Sequence, residues 1–294
     1  MNPSLLVTMA LFGSAFAGSK VVVEQLPHQV AAVLRFGGAA LILLTVVFAR
    51  RRGARLTRAQ IIRCGLVGLL GVFAYNVFFF WALSLAPSID GSVIVPVMSP
   101  ILVVLARPER TTPFRIAGLL FGLTGAVVFF TGARLGGPRL LGDLLFLLGA
   151  GAWAAYSITS KRVLAGVDPL RATTIATGVG AIALLIPAVP ALPAAHWGAV
   201  SGTAWAALAY LAAGPTALAY LLYYRGLAKV SPSTATIMMF TVPLFGVTCS
   251  ALLLHESFTA TQLAGAALML PGAILAVAGA RPSESPRRWR LARR

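Results

Sequence analysis

Few side chains in this 294-residue sequence are equipped for chemistry, and two of them stand where charge is expensive. Lys20 and Arg35 lie inside long apolar runs, where an ionisable group is a functional candidate by default. Lys20 is about 22 Å along the first run from Leu5, and Arg35 about 8 Å into the second from the opposite side, so both belong to one half of a bilayer. A cation facing a cavity attracts a carboxylate, and Lys20 is the stronger candidate for that contact. Its competing arrangement is a local ion pair with Glu24, four residues on. Aromatic residues recur at helical spacing as Tyr75, Phe78 and Phe79, and again as Tyr220, Tyr223 and Tyr224, with Trp153 and Tyr156 in a run between them. Rings of this kind line pockets for apolar ligands, and tyrosine hydroxyls and Asn76 supply orienting hydrogen bonds. Tyr223 and Tyr224 stand beside Arg225 and read as an interfacial belt. Tyr75, Asn76, Phe79, Trp153, Tyr156 and Tyr220 lie deeper, facing either a cavity or lipid.

Other chemistries find little support. Metal-ligand spacings such as HExxH or CxxC are missing, and Ser201 has no histidine at its depth to act as a base. The expectation is no enzyme activity, no cofactor and no metal. Glu24, Asp90, Glu109, Asp143 and Glu256 all fall near the ends of apolar runs, with Asp168 and Glu284 in a loop and a tail. Proton-driven carriers generally place a carboxylate or histidine relay within the membrane. Facilitative movement down a substrate gradient is therefore the expectation.

Apolar types make up 59% of the chain and charged types 11%, against roughly 25% charged in a soluble domain. Such a chain has too little polar surface to cover a globule in water. Its net charge of +17 is scattered in short bursts between apolar runs rather than gathered on one face, which argues against a nucleic-acid partner and for membrane orientation. Ten runs approach the roughly 20 residues a spanning helix needs: Leu5–Val23, Val30–Ala49, Cys64–Leu85, Gly91–Ala106, Pro113–Thr131, Leu140–Ser160, Ala172–Pro190, Thr203–Tyr224, Ser233–Leu254 and Ala260–Ala280. The segment after Pro190 is broken by proline and glycine and reads as interfacial, with Trp197 at headgroup level. Twenty basic residues fall in one set of loops and ends against two, Arg134 and Arg139, in the other. Both termini are then cytoplasmic.

The two halves resemble one another. Glu109, Thr112, Ala117, Gly118, Leu123, Gly125 and Ala126 align without a gap on Glu256, Thr259, Ala264, Gly265, Leu270, Gly272 and Ala273. Repeats of five helices must enter the membrane from opposite sides, an inverted architecture used by transporters, whose substrate path lies at the repeat interface. The fold expected is an all-α integral membrane protein: ten transmembrane helices as two inverted five-helix repeats, residues 1–134 and 135–280, around a central cavity, then a basic cytoplasmic tail, 281–294. Pro100 precedes Glu109 by nine residues where Pro243 precedes Glu256 by thirteen. The fourth helix should therefore be short and unwind at Arg107-Pro108. Ser99, Pro96 and Pro100 in that helix, Pro215 in the eighth and Pro243 in the ninth are candidate lining or hinge positions.

FGSAFAGSK (Phe12–Lys20) and LRF (Leu34–Phe36), with the proline-to-glutamate pattern of each half, resemble the EamA-type drug/metabolite transporter superfamily. Phe12 stands where that signature usually carries tryptophan. Within the superfamily the chain is most similar to bacterial exporters of amino acids, notably aromatic ones. The resemblance implies an inner-membrane carrier of small metabolites working by alternating access. The alternative is a carrier of another metabolite or drug, of the proton-coupled multidrug or nucleotide-sugar type; a homodimer stays open. The candidate substrate site is Lys20, Tyr75, Asn76, Phe79, Ser99, Trp153, Tyr156 and Tyr220. The charge count makes one direct prediction: a cysteine replacing Ser283 is labelled by an impermeant thiol reagent only after the inner membrane is opened. Labelling in intact spheroplasts contradicts the orientation.

Overall fold

The computed structural model describes residues 3–50, 56–106, 112–131, 137–163, 166–227 and 239–278, and these are helical, without strands. In chain order the helices are α1 (Pro3–Val23), α2 (His28–Arg50), α3 (Arg58–Leu85), α4 (Ser88–Leu105), α5 (Pro113–Thr131), α6 (Pro138–Val163), α7 (Pro169–Ala188), α8 (Gly202–Leu211, continuing through Ala219–Leu227), α9 (Val242–Leu254) and α10 (Ala260–Ala278). Seven are long and apolar enough to cross a membrane: α1, α2, α3, α4, α6, α7 and α8. In α5, α9 and α10 the apolar stretches are shorter, Ile116–Thr131, Val242–Leu254 and Ala260–Leu275. Arg107, Pro108, Glu109, Arg134 and the tail from residue 279 lie outside the described residues, as do the lysine at 229 and Thr236.

Local chemistry sets the ends. Thr57 and Gln60 form a reciprocal capping box at the start of α3, and Thr259 and Gln262 exchange the same pair of bonds before α10. Asp168 caps α7 by accepting from the Arg171 amide at 3.0 Å, with Pro169 beginning the helix. Ser201 caps α8, and its own amide donates to Gln25 in the turn between α1 and α2 at 2.8 Å. The stretch after α7 forms 3-10 turns, Val189–Ala194 and Trp197–Ala199, with an exposed Trp197 stacked on Trp205.

α3 and α8 each contain a π-helical segment near mid-length, Leu69–Ala74 and Ala212–Leu218. In α8 the cause is Pro215, which lacks the N–H that an α-helical turn requires. In α3 no proline is present, and the widened turn coincides with a close packing contact. The opposing residue is Tyr156 of α6, which lies against Gly71 so closely that a β-carbon would collide with its ring.

The helices pair in a regular pattern: α5 with α10, α2 with α7, and α4 with α9. α1 packs on α9 and α8, as α6 packs on α4 and α3; α3 packs on α7 as α8 packs on α2. Exchanging each helix with the one five places along leaves these pairings unchanged. α4 is the most enclosed of the long helices, with 83% of its apolar stretch buried against 33% to 50% in the others. Outward positions such as Phe48, Ile186, Leu244 and Leu252 stay bare, as a lipid-facing surface requires.

α5 and α10 meet backbone to backbone. A β-carbon at Gly125 would stand 2.6 Å from the Met269 amide nitrogen, and Gly272 lies equally tight on Gly122. Gly125→Ala should cost about 1–3 kcal/mol by overpacking and lower the melting temperature by several degrees. Gly37→Ala, with open space around its β-carbon, should not lower it. Equal melting temperatures for the two variants in detergent would contradict the close approach.

Candidate functional site

Side chains from seven helices meet at a narrow cavity in the middle of the bundle. Phe12, Ala15 and Phe16 come from α1, Arg35 and Phe36 from α2, Tyr75 and Phe79 from α3 and Val95 and Pro96 from α4. Trp153 comes from α6 and Tyr220 from α8, while Met239 and Val242 enter at the start of α9. The space measures about 50 Å³, far below the roughly 300 Å³ at the small end of ligand pockets. In this conformation the lining side chains leave little free space between them. A larger cleft of about 450 Å³, lined by Val47, Arg50, Asp168, Leu170 and Arg171, opens on the surface and shares no residue with it.

Arg35 supplies the cavity's charge. It is 6% exposed, its Nε donates to Thr216 Oγ1 at 3.0 Å and its Nη1 to Ser19 Oγ at 3.0 Å. Its guanidinium lies over Phe36 at 5.0 Å, with Phe79 and Phe80 at about 6 Å. No carboxylate is paired with it among the described residues. Ring faces and two hydroxyls hold the cation without neutralising it, which leaves a field that favours an incoming anion.

Toward the end where α1 begins and α6 finishes, the cavity is walled by rings. Phe12 is the hub, edge-on to Tyr220 at 5.7 Å and to Trp153 at 6.2 Å, with Tyr223 at 5.9 Å. Trp153 in turn contacts Tyr75 and Tyr156, each at 5.2 Å. Pairs of this kind contribute about 0.5–1.5 kcal/mol each beyond area burial. At the other end polar groups close the bundle. Glu256 accepts from the Ser88 and Ile89 amides at 3.0 and 2.8 Å and from Ser88 Oγ at 2.8 Å. Ser88 and Ser250 hydroxyls are 2.8 Å apart, and Arg139 grips Asp90 through Nε and Nη2.

Of the residues singled out from the sequence, Tyr75, Phe79, Trp153, Tyr220 and Pro96 line the cavity, and Tyr156 packs behind Trp153. The structure places Lys20 elsewhere. Its Nζ donates to the carbonyls of Leu83 and Ala86 at 2.8 and 3.1 Å, satisfying the end of α3 instead of pairing with Glu24. Asn76 is fully buried but outside the lining; its amide donates to the Val72 carbonyl, and its Oδ1 meets no donor among the described residues. Ser99 bonds back to the Val95 carbonyl at 2.6 Å. Pro100 lies inside α4, Pro215 in the π segment, and Pro243 in the first turn of α9, where a missing N–H costs nothing. Tyr223 joins the ring cluster, with its hydroxyl 3.9 Å from the Met239 sulfur, and not the interfacial belt its neighbour Arg225 suggested. Phe12, Phe16, Phe36 and Met239 were not singled out as lining residues. The i, i+4 spacing of Phe12 and Phe16 was the signal, obscured because α1 is apolar all round.

A model described as the EamA-like transporter family matches this sequence twice, over residues 3–131 and again over 140–278. The chain belongs to that family. Among relatives of this EamA-family protein, the uncharacterized transporter YyaM of Bacillus subtilis is 24% identical over 281 residues, 92% of each chain. The aromatic amino acid exporter YddG of Ancylobacter novellus is 30% identical over 227 residues, 73% of this chain and 75% of that one. A probable terminal-alkyne amino-acid exporter of Streptantibioticus cattleyicolor is 26% identical, over 92% of this chain and 91% of its own. A solved crystal structure of 24% identity shares the fold with a TM-score of 0.65, over 95% of this chain and 98% of the other.

Proposed function

We propose that this EamA-family transporter exports amino acids, aromatic and other neutral ones, across the bacterial inner membrane by facilitative alternating access. It does so as ten spans in two inverted five-helix repeats, residues 1–134 and 135–280, with both termini cytoplasmic. One observation carries the substrate reading: an unneutralised guanidinium, Arg35, in a narrow cavity walled by Phe12, Phe16, Phe79, Trp153 and Tyr220. The cation suits a carboxylate and the rings suit an apolar side chain. Two relatives named as amino-acid exporters support the same substrate class. Support for the repeats comes from the family model matching twice and from pairings that survive exchange of the halves. Their axis would bring both halves to the cavity wall, since Arg35 and Tyr75 belong to one and Trp153 and Tyr220 to the other.

In this reading the collapsed cavity is an occluded state. Substrate enters when the ring layer at the cytoplasmic end parts and leaves when the polar end parts, with Arg35 holding the carboxylate between. A carrier of cationic drugs would want a carboxylate in the lining, and none stands there among the described residues.

Trp153→Ala tests the site. Losing a ring contact worth about 0.5–1.5 kcal/mol weakens binding about two- to twelve-fold, and more with the lost burial. Affinity for phenylalanine should fall further than affinity for threonine in proteoliposomes at matched protein level. Parallel losses that track melting temperature would make Trp153 a packing residue and remove the ring layer from substrate recognition.

A further inference from the structure

Asp143 of α6 and Asp90 of α4 are both 0% exposed, and they face one another at the polar end of the bundle. Asp90 is well provided for. Arg139 donates to it twice, at 2.8 and 2.9 Å, and Gln262 of α10 donates to Oδ1 at 3.0 Å while accepting from Arg139 at 2.9 Å. Neither oxygen of Asp143 meets a donor among the described residues.

The other charged groups nearby are engaged. On its own helix Asp143 has Arg139, one turn back and committed to Asp90. The loop before α10 brings Glu256, whose carboxylate already accepts from Ser88 and Ile89. The end of α3 carries Lys20 on the Leu83 and Ala86 carbonyls, and Arg134 lies outside the described residues. Two buried carboxylates therefore lie near one guanidinium that donates to Asp90 alone of the two, and a second bare charge there is strongly unfavourable. A proton on Asp143 removes that charge and creates the donor the site lacks, an O–H directed at the Asp90 carboxylate.

We propose that Asp143 binds a proton in the closed conformation, making the junction of α4, α6 and α10 a proton-binding site that sets how readily this end of the carrier opens. Parting the helices admits water to Asp143, and the proton leaves to that side; closure takes it back from the same side. No proton crosses the membrane, so the site tunes the gate without driving transport. The closed state binds one proton more than the open state, and rising pH therefore favours opening, by at most tenfold per unit. Proton occupancy stands on the buried cluster, while its effect on transport rests on the carrier reading above.

The test uses the full chain in lipid nanodiscs, with infrared difference spectra at neutral pH. Wild type should show a protonated-carboxyl C=O band that shifts in deuterated water and is missing in Asp143→Asn, an isostere of the protonated acid. Asp90→Asn should lose the same band, because Arg139 is then released to pair with an ionised Asp143. A band that persists in Asp143→Asn, or its absence from wild type, overturns the proposal. Phenylalanine counterflow should rise with pH in wild type and stay flat in Asp143→Asn; the same slope in both overturns the gating role. A band present in wild type and lost in Asp143→Asn, together with no counterflow of any amino acid by wild type, supports the proton site and counts against the substrate reading instead.

Discussion

A helix that begins inside a bundle brings unpaired amides with it, and in a membrane interior no water is present to meet them. α4 meets this constraint in an acute form: it is the most enclosed helix, its first residues Ser88, Ile89 and Asp90 are fully buried or nearly so, and Pro87 before it offers no side-chain cap. The partner comes from the far half of the chain. Glu256 reaches across to the Ser88 and Ile89 amides, and Asp90 is fixed by Arg139 and Gln262. Because the cap is supplied in trans, the start of α4 cannot move relative to α6, α9 and α10 without exposing those groups. The same bonds that satisfy a helix terminus thus hold one end of the bundle shut.

The other end is closed by a different kind of interaction. Rings from α1, α6 and α8 pack edge-on or tilted around Phe12, and Tyr75 of α3 joins them through Trp153; such contacts can part and re-form at modest cost. Between a polar clamp and an aromatic layer lies Arg35, held by Ser19 and Thr216 but not neutralised. The π segments of α3 and α8 sit beside this level, and a widened turn loosens the backbone ladder where a transporter helix has to bend. That combination suits a cavity that opens to one side at a time.

Much of the scaffold was legible in the sequence because it is written in composition and spacing. Seven of the long apolar runs and the hinge position Pro215 each have a local cause and each appear in the structure. The site was legible only in part. On paper Lys20 has the stronger claim over Arg35, and only the packing tells that the end of α3 needs Lys20 as a donor. Asp90 and Asp143 were read as harmless because they stand near helix ends, yet distance from an end says nothing about how many neighbours cover it, and both are fully buried. Phe12 could not be read as a hub from α1, whose apolar residues point in every direction.

The central claim is that the polar clamp on α4 must part for substrate to pass. Ser88 and Ser250, whose hydroxyls are 2.8 Å apart, allow that to be tested by replacing both with cysteine in a background lacking Cys64 and Cys249. Phenylalanine exchange in proteoliposomes is then measured before oxidation, after it, and after reduction. The account predicts that the disulfide abolishes exchange and that reductant restores it. Exchange that continues undiminished through the cross-linked protein would contradict it.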